Sequence, residues 1–513
     1  MDASLAHFAD TLFRAFDLRI DADTLTTSLA LRLIHAHACY FREQLLTNTV
    51  VLCRDARLSG NRMLQQAVDE FVRLGFQVFV NPLPISTCQF YYLCMRHSEA
   101  AGIMYSASHN PGHYTGQKIV GPQVSPIASG FGPAGGLDRI KHNFLCGETC
   151  QSQPGGQATY AQSTEDYVRF VMGLAGIRPG DLAGLRILCD YLSGSAGLEI
   201  ALAFKIAGAD TVHRNSIPDG AFPSGDPNPV IHSSIKPMVE QMKRGGFDFG
   251  LCFDGDGDRM DVLDSQGRQL SPSLNFSLIS DQLKRIVSKA TDSRPPHAFL
   301  DPKASPFAYR ELSSRGIAAH LVKNGHSIIK ALLISRDDVN FIGAVEESAH
   351  YYIKLPNPFA ADGYIAWEST LLIALLVARC WIDHPEAYHR VMQAQLGIHR
   401  QREWAYRFID EKQRMTVLAK VAEAFENRGA VLIDAMDTGE PLGGTLIREG
   451  MGEGWSPDSA QAAWLQVSQR RSESEEGIAR WEVMAGTNDR LLEAIGIIER
   501  VVTTHSAGAV RIG

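Results

Sequence analysis

A strand-helix-strand pattern that occurs three times along the chain constrains its fold more than any other feature of the sequence. Each copy has an apolar strand-like run, a helix-like run that ends at a glycine, and two further strand-like runs. The first runs are TVVLCRD (49–55), LRILCDY (185–191) and HAFLDPK (297–303). The glycines at the helix ends are Gly75, Gly208 and Gly316, and glycine commonly ends a helix in the left-handed conformation. Strand-like runs that alternate with helical runs are typical of a layered α/β structure.

The polar loop that follows the third strand-like run is different in each copy. SASHNP comes at the end of AAGIMYS (100–106), DGDGDR follows FDFGLCF (247–253), and EESAHYY follows VNFIGAV (339–345). Ligands of α/β sheets commonly bind outside the ends of strands. Three related units with three unlike loops therefore predict one cleft that is assembled from three sides.

The last part of the chain predicts a smaller α+β domain. Residues 395–430 have a helical pattern, 430–458 are glycine-rich and irregular, and strand-like runs at 463–469 and 478–486 precede a helix near 488–502. The fold class that we predict is α/β, with three topologically similar α/β domains and the C-terminal α+β domain around a central cleft. The predicted domains are residues 1–160, 161–270, 271–390 and 391–513.

Composition and charge argue against several classes of protein. The chain is 45% hydrophobic and 21% charged, as in ordinary soluble proteins, and its net charge of −8 argues against a nucleic-acid-binding surface. The longest apolar run, 371–378, is too short to span a bilayer, and the N-terminus lacks the apolar segment of a signal peptide. Nine scattered cysteines without a C-x-x-C pair predict reduced thiols in a cytoplasmic protein.

The DGDGDR loop predicts a metal site. Asp254, Asp256 and Asp258 stand at alternate positions, so their carboxylates can converge on one hard cation, Mg²⁺ or Ca²⁺ in preference to zinc. An EF-hand does not fit, because it needs glycine and glutamate where Arg259 and Ser265 stand. The alternative is an acidic surface turn, but three acids directly after an apolar strand would repel one another without a cation.

The SASHNP loop offers Ser108 as a nucleophile, with His109 beside it and Lys118 downstream. A serine hydroxyl is weak unless a base or a metal activates it or it carries a transferable group. The G-x-S-x-G elbow of hydrolases is absent, and a simple Asn-Pro-Gly turn is the alternative. Beside a metal loop, the serine fits the role of a phosphate carrier, because a metal can neutralise phosphoryl oxygens.

Two further polar segments suit a sugar phosphate. Carboxylate, hydroxyl and imidazole groups that suit sugar hydroxyls are supplied by Glu346, Ser348, His350 and His326, although a buried histidine is more often structural. Guanidinium and hydroxyl groups that could bind a phosphate are supplied by Arg470, Ser472 and Ser474. The alternative for this second segment is a solvated charged turn, since three glutamates share it.

Taken together, these motifs resemble a known family. FRAFDLR (13–19), CRDARLSG (53–60), SASHNP, DGDGDR, NGHS (324–327) and VEESAH (345–350) occur in the order seen in the α-D-phosphohexomutases. The chain is similar in particular to bacterial phosphomannomutase/phosphoglucomutase. The resemblance implies four domains around a cleft, a phosphoserine at Ser108, and Mg²⁺ bound by Asp254, Asp256, Asp258 and the phosphoryl group on Ser108.

The resemblance also implies roles for the other candidate residues. His109, Lys118 and Arg259 would assist proton transfer and stabilise charge. Glu346 and Ser348 would bind sugar hydroxyls. The residues expected nearby are His326, His350 and Arg19, and those expected to bind the distal phosphate are Arg470, Ser472 and Ser474.

The function that we predict is an isomerase that interconverts hexose 6-phosphate and hexose 1-phosphate, with mannose phosphate first and glucose phosphate second. It would use Mg²⁺ and a bound hexose 1,6-bisphosphate, as a monomer or homodimer without nucleic-acid or membrane partners. One alternative is a phosphoglucosamine mutase, and another is a metal-dependent phosphatase that uses Ser108. A third is a degenerate homologue that binds a sugar phosphate without turnover, because Phe16, Val345, Ala349 and the loop after Arg470 depart from the family pattern.

Overall fold

The computed structural model describes residues 3–287, 294–336, 339–360, 363–451, 455, 463–472 and 477–512. Its strands form four sheets, and each sheet takes its strands from a separate stretch of the chain. Three of the sheets mix parallel and antiparallel pairs and pack with helices, and the fourth is antiparallel. The predicted α/β fold class with a C-terminal α+β unit is therefore confirmed, while the domain boundaries stay a prediction.

The first unit has the largest sheet. Its strands are β1 (Leu18–Asp21), β2 (Thr49–Arg54), β3 (Gln77–Pro84), β4 (Ala101–Tyr105), β5 (Tyr114–Gly121), β6 (Ser125–Pro126) and β7 (Gln157–Tyr160). They lie in the order β1-β5-β4-β2-β3-β7, with β6 paired to β5. The helices of this unit are α1 (Ala3–Leu12), α2 (Thr27–Glu43), α3 (Leu58–Arg73), α4 (Thr87–Arg96) and α5 (Leu137–Cys146).

The second and third units have smaller sheets. The second contains β8 (Arg186–Asp190), β9 (Asp210–Arg214), β10 (Phe249–Phe253) and β11 (Met260–Asp264), with α6 (Thr164–Ala175), α7 (Gly197–Ala207) and α8 (His232–Lys243). The third contains β12 (Pro296–Leu300), β13 (Ala318–Leu321), β14 (Asn340–Val345), β15 (Tyr351–Pro356) and β16 (Tyr364–Glu368). Its helices are α9 (Pro272–Val287), α10 (Pro306–Ser314), α11 (His326–Ser335), α12 (Thr370–Asp383) and α13 (Pro385–Leu396).

The three α/β units share one strand order. In each, the first strand of the repeated pattern lies between the second and third and runs parallel to both, and a fourth strand pairs antiparallel with the third. The resulting orders are β3-β2-β4-β5, β9-β8-β10-β11 and β13-β12-β14-β15. The turn into the antiparallel strand is in each case the predicted polar loop, so the topology places the three loops at equivalent positions.

The first helix in each repeated unit ends near the glycine that the sequence predicts. Gly75, Gly208 and Gly316 have φ angles of +94°, +85° and +68°, which is the left-handed region that favours glycine. Each lies directly after its helix and before the second strand of the unit. The predicted glycine exits are therefore confirmed.

The fourth unit corrects two predictions. Its strands are β17 (His399–Arg407), β18 (Val431–Ala435), β19 (Pro441–Glu449), β20 (Leu465–Arg471), β21 (Ile478–Ala485) and β22 (Val510–Ile512), and its helices are α14 (Glu411–Glu426) and α15 (Asn488–His505). The sheet order is β18-β19-β20-β21-β17-β22. The prediction of a continuous helical segment at 395–430 is wrong, because β17 interrupts it. The prediction of an irregular stretch at 430–458 is also wrong, because β18 and β19 lie within it.

Two of the strands that the sequence did not predict, β17 and β19, have physical reasons to form. β17 is rich in charged residues and so has little apolar periodicity, but β21 and β22 flank it and pair with it. β19 contains Gly443 and Gly444, which give it a loop-like composition. At Gly444 a Cβ atom would lie 2.3 Å from the carbonyl oxygen of Gln469, so close packing against β20 requires glycine at that position.

The longest apolar run of the chain has a structural explanation. Residues 371–378 lie in α12, and all are buried. This helix packs against α6 and α9, and the surrounding core cluster contains residues of all three α/β units, such as Val51, Leu251 and Ile353. A helix that is covered on every side is apolar all round, so this run stabilises the association of the units.

Hydrogen bonds at the unit seams converge on the DGDGDR loop. The Thr87 N–H at the start of α4 donates to the Asp256 carbonyl over 2.8 Å. The Thr370 hydroxyl at the start of α12 donates to the Gly257 carbonyl over 2.7 Å. The loop of the second unit is therefore bonded directly to the first and third units.

Two expectations about the whole chain concern membranes and cysteines. None of the helices within the described ranges has both the length and the apolar character that crossing a bilayer requires. All nine cysteines are free, and only Cys146 is exposed.

The seam between the first two units generates a prediction about pH. Glu199 in the first turn of α7 is buried and accepts a 2.7 Å hydrogen bond from Ser86. Burial raises the pKa of Glu199 to about 8, against the smaller opposing effect of that hydrogen bond. The folded state therefore binds a proton that the unfolded state has already lost above pH ~4.5, and this contribution to the free energy of unfolding falls as pH rises from about 5 to 8.

We expect Glu199→Gln, which is neutral and nearly isosteric, to become more stable relative to the wild type as pH rises across that window. Urea unfolding of both proteins at several pH values measures the difference. Glu165→Gln, at an exposed position on α6, is the matched control and should show no such trend. A constant difference between Glu199→Gln and the wild type from pH 5 to 8 would contradict the assignment.

Candidate active site

Ser108 lies in the turn between β4 and β5 and is buried. Its backbone has φ of +52°, an uncommon conformation for a residue with a side chain. The Ser108 N–H donates to the Ser106 hydroxyl over 2.9 Å. The Ser108 hydroxyl oxygen lies 3.2 Å from Asp254 Oδ2 and 3.2 Å from His109 Nδ1. The serine hydroxyl therefore lies within hydrogen-bond distance of two side chains, one of which belongs to the metal loop.

The guanidinium of Arg57 fixes the conformation of this serine loop. Arg57 is buried and donates to the carbonyl oxygens of Ser108, Asn110 and Pro111 over 2.8, 2.6 and 2.7 Å. Its Nε donates to buried Asp55 over 3.1 Å, so the charge is compensated. A planar donor fork that bonds several carbonyls at once restricts a loop strongly, which explains how the strained conformation of Ser108 is maintained.

The three aspartates of DGDGDR form a compact acidic cluster. Asp254, Asp256 and Asp258 are fully buried or nearly so, and one oxygen of each lies within 4.8 Å of the others. Asp256 Oδ1 and Asp258 Oδ1 have no hydrogen-bond partner among the described residues. Buried carboxylate oxygens without donors are costly unless a cation binds them, and an all-oxygen donor set suits Mg²⁺. The residues present therefore fit a divalent metal ion.

Positive side chains compensate part of this acidic charge. Lys118 Nζ, which is buried, donates to Asp256 Oδ2 over 2.7 Å and also bonds Asp258. Burial and the two neighbouring carboxylates raise the pKa of Asp254 well above its usual value. Burial acts to raise the pKa of Asp258, but the charge of the adjacent Lys118 ammonium outweighs burial and lowers it.

His109 is neutral in this environment. Burial lowers its pKa well below the usual value, and the nearby charges of Arg259 and Arg19 act in the same direction. Arg19 also contacts the loop, since its Nη1 donates to Asn110 Oδ1 over 2.6 Å. The residues predicted around Ser108 are thus brought together.

The sugar loop predicted from EESAH faces the same region. Glu346 is buried and accepts hydrogen bonds from Asn324, the Gly325 N–H and Tyr352 over 3.0, 3.1 and 2.5 Å. Ser348 is half-buried in the turn, and Ala349 has φ of +71°. In contrast, Glu347 accepts from Arg400 over 2.8 Å, so it connects the third and fourth units.

His350 connects the sugar loop to the metal loop. Arg259 Nε donates to His350 Nε2 over 2.9 Å, and His350 Nδ1 lies 2.8 Å from Glu368 Oε1. Arg259 Nε also lies 3.7 Å from Asp254 Oδ2. Arg259 and His350 are therefore in direct contact, as their predicted common site requires.

His326 begins α11, and its Nδ1 lies 3.3 Å from the Ser327 hydroxyl. Burial and the charge of Lys330 lower its pKa well below the usual value, and its Nε2 has no partner among the described residues. Phe16 packs against its ring at 5.8 Å and would contact a Cβ at Gly325 at 2.6 Å. Phe16 thus joins the first unit to the third beside the cleft.

The predicted phosphate segment is partly described. Arg470, in β20, donates to Glu403 over 3.0 Å. The same carboxylate lies 3.5 Å from Lys303 Nζ and accepts from Arg480 over 3.1 Å. Glu403 therefore joins three cationic side chains at this seam, and Asp301 Oδ2 also lies 3.7 Å from Lys303 Nζ. Ser472 is buried, and Ser474 lies outside the described residues.

Sequence reasoning missed several residues of the site. Arg57 and Asp55 stand in the CRDARLSG motif but received no role, and Glu368, Lys330, Lys303 and Glu403 received no attention. An acid within a buried strand, such as Glu368 in YIAWE (364–368), was the available signal, because charged residues are rarely buried without a partner. The partner itself could not be read from the sequence.

The Arg57 contacts generate a testable prediction. In Arg57→Met the carbonyls of the serine loop lose their donor and Asp55 is left buried without a cation. We expect a loss of about 3–5 kcal/mol of stability and faster hydrogen exchange of the amides of residues 106–116, measured by mass spectrometry. Arg62→Met, at an exposed position of α3, the helix that follows Arg57, should change neither quantity. Unchanged exchange in Arg57→Met would show that another contact orders the loop.

Comparisons with known proteins agree with this geometry. The family model described as phosphoglucomutase/phosphomannomutase, alpha/beta/alpha domain I matches residues 10–131, and that of domain II matches residues 165–267. These ranges contain the serine loop and the metal loop.

Curated relatives and solved structures extend the similarity. A protein of Xanthomonas campestris pv. campestris named phosphohexose mutases is 30% identical over 72% of this chain and 77% of its own length. Phosphomannomutase/phosphoglucomutase of Pseudomonas aeruginosa is 27% identical over 67% of this chain and 70% of its own length. A phosphoglucomutase/phosphomannomutase family protein of Burkholderia thailandensis has the same fold, with a TM-score of 0.74, 19% identity, and coverage of 98% of this chain and 99% of its own. Together with the family models, these relatives show that the chain belongs to the phosphoglucomutase/phosphomannomutase family of enzymes.

Proposed function

We propose that this protein is a phosphohexomutase that interconverts hexose 6-phosphate and hexose 1-phosphate through a phosphoserine at Ser108. The observation that carries the proposal is the meeting of two loops from different units, with the Ser108 hydroxyl 3.2 Å from Asp254 Oδ2. A nucleophilic or phosphate-carrying serine needs a cation close by. The acidic cluster supplies the site for that cation.

The metal in the proposal is Mg²⁺, which would be held by Asp254, Asp256, Asp258 and a phosphoryl oxygen on Ser108. The donor set and the two unpartnered carboxylate oxygens support this choice. When bound, the ion would neutralise charge on the transferred phosphoryl group.

The chain's own residues account for the remaining requirements of phosphoryl exchange. The sugar hydroxyl takes the phosphoryl group from Ser108 and releases its proton, and Ser108 regains a hydroxyl. His109, neutral and 3.2 Å from Ser108 Oγ, can accept or return the serine proton. Lys118 and Arg259 can stabilise negative charge on the phosphoryl oxygens, since both lie against the aspartates.

The second half of the reaction returns the other phosphoryl group of the 1,6-bisphosphate to Ser108. The bisphosphate must therefore turn within the cleft, with one phosphate at the serine and the other at a distal site. The cationic side chains of Lys303, Arg470 and Arg480 lie together at Glu403, and they support that distal site because guanidinium and ammonium groups bind phosphate. Glu346, Ser348 and His326 are proposed to contact sugar hydroxyls that both orientations present.

The preferred substrate in this proposal is mannose phosphate, followed by glucose phosphate. A phosphoglucosamine mutase is the neighbouring alternative, and a panel of hexose 1-phosphates assayed for the 6-phosphate product separates them. Release of inorganic phosphate without isomerised sugar phosphate would indicate a phosphatase. Binding without any product would indicate a non-catalytic homologue.

The serine role makes its own prediction. We expect the purified protein to carry a mass increase of one phosphoryl group, and Ser108→Ala to lose both this adduct and at least ~10³-fold of the mutase activity. Intact-mass measurement and a coupled assay with hexose 1,6-bisphosphate and Mg²⁺ test both. Ser129→Ala, at an exposed position, should keep the adduct and the activity. An adduct that survives in Ser108→Ala would place the phosphoryl group elsewhere.

Metal dependence is tested by reducing the charge of the cluster. In Asp256→Asn one anionic ligand is lost, while an oxygen remains to accept from Thr87 and Lys118. We expect the Mg²⁺ concentration for half-maximal activity to rise by about tenfold or more, as measured by titration after chelator treatment. Asp210→Asn, at the exposed first position of β9, should leave this concentration unchanged. Full activity of the wild type in excess chelator would refute the metal assignment.

A further inference from the structure

The hydrogen bonds of His350 define which of its nitrogens carries the proton. Arg259 Nε lies 2.9 Å from His350 Nε2. A guanidinium has only donors, so Nε2 must be the acceptor and must lack a proton. The proton of the neutral ring is then on Nδ1, which donates to Glu368 Oε1 over 2.8 Å.

Glu368 is held in place from its other side. It ends β16 and is 1% exposed, and its Oε2 lies 2.5 Å from the ammonium of Lys330. Lys330 on α11 is buried as well and lies 4.0 Å above the ring of Tyr91, which belongs to α4. Elements of the first and third units thus fix the position and charge of the Glu368 carboxylate.

This arrangement determines how Arg259 is presented to the cleft. Arg259 Nε donates to His350, and neither Nη1 nor Nη2 donates a hydrogen bond to another described residue. The N–H groups of Nη1 and Nη2 therefore remain available as donors, while Nε lies 3.7 Å from Asp254 Oδ2. A guanidinium fixed by Nε with both Nη groups available suits bidentate binding of phosphoryl oxygens.

We propose that Glu368 is a positioning residue, which fixes the Nδ1–H tautomer of His350 and through it the orientation of Arg259 at the serine and metal loops. The proposal rests on the proposed function, in which Arg259 stabilises the transferred phosphoryl group. Ligand-orienting carboxylates behind a histidine act in this way at many active sites.

A second metal site is the competing interpretation, because oxygen and nitrogen atoms of Asp258, His350 and Glu368 lie within 4.8 Å of one another. Both nitrogens of His350 are engaged, one as a donor and one as an acceptor. Lys330 already neutralises Glu368. The cluster therefore has the composition of an ion-pair network that orients a histidine.

The test exploits the difference between a carboxylate and an amide. In Glu368→Gln the amide must turn its oxygen to the Lys330 ammonium, because an NH₂ group there would oppose three donors. Its NH₂ group then faces His350 Nδ1, which becomes an acceptor, and the proton moves to Nε2. Arg259 Nε loses its acceptor, so we expect kcat to fall on the order of 10- to 100-fold while KM changes much less.

The double variant Lys330→Met/Glu368→Gln is the matched rescue. Without the ammonium, the amide oxygen is free to turn towards His350 and accept from Nδ1 again. The native tautomer is restored, and we expect kcat to recover by about tenfold relative to Glu368→Gln alone. If Glu368 only filled space or compensated charge, the double variant would have a lower kcat than Glu368→Gln, because the effects of the two substitutions on kcat would add.

The tautomer is read directly by long-range ¹H–¹⁵N correlation spectra of protein with ¹⁵N-labelled histidine, with the His350 signals assigned by His350→Gln. We expect a protonated Nδ1 in the wild type, a protonated Nε2 in Glu368→Gln, and a protonated Nδ1 in the double variant. This measurement does not depend on turnover. If the wild type shows no mutase activity, the proposed function fails while the spectra still decide the role of Glu368.

Two results would overturn the proposal. One is a Glu368→Gln variant with wild-type kcat, and the other is an unchanged His350 tautomer in that variant. Thermal unfolding of all variants checks that each is folded at the assay temperature. A metal at Asp258, His350 and Glu368 would instead give a second bound equivalent in metal analysis of the wild type that is lost in Glu368→Gln, and that outcome also contradicts the positioning role.

Discussion

The structure depends on the compensation of three buried carboxylates in one loop. Asp254, Asp256 and Asp258 lie out of contact with solvent, where unpaired negative charges are strongly unfavourable. Lys118 is supplied by the first unit, and Arg259 follows the acids in the loop itself. The unpartnered oxygens that remain suit a divalent cation. The same charge requirement that makes this loop a metal site also requires the first and second units to stay together.

The neighbouring contacts extend this compensation to the whole cleft. Thr87 and Thr370 bond the loop backbone and side chain from the first and third units. Arg57 maintains the strained conformation of Ser108, and Arg259 contacts His350 of the third unit. The donors that Arg57 supplies to the serine loop restrict its conformation, which suits the single fixed reaction centre of the proposed function.

Local patterns predicted those parts of the fold that depend on local backbone preferences. The three repeated units, their glycine helix exits and the loops after their third strands follow from apolar periodicity and turn residues in short windows. The fourth unit was harder, because β17 is stabilised by pairing with β21 and β22 rather than by an apolar pattern of its own. Likewise, Gly444 of β19 is required by close packing against β20, although the Gly-Gly pair indicates a loop in the sequence.

The sequence by itself determined the chemistry available to this protein: a serine loop, an acidic loop and a sugar loop in three related units, in the order of a known family. Their residue types and spacing suffice for that, since each loop is contiguous in the chain. Only the tertiary structure decided which side chains meet across the units. The pairs Arg57 with the serine loop, Glu368 with His350 and Lys330, and Glu403 with Lys303 and Arg470 join residues far apart in sequence. Such pairs form because a buried charge must find a partner wherever the packing of sheets and helices places one.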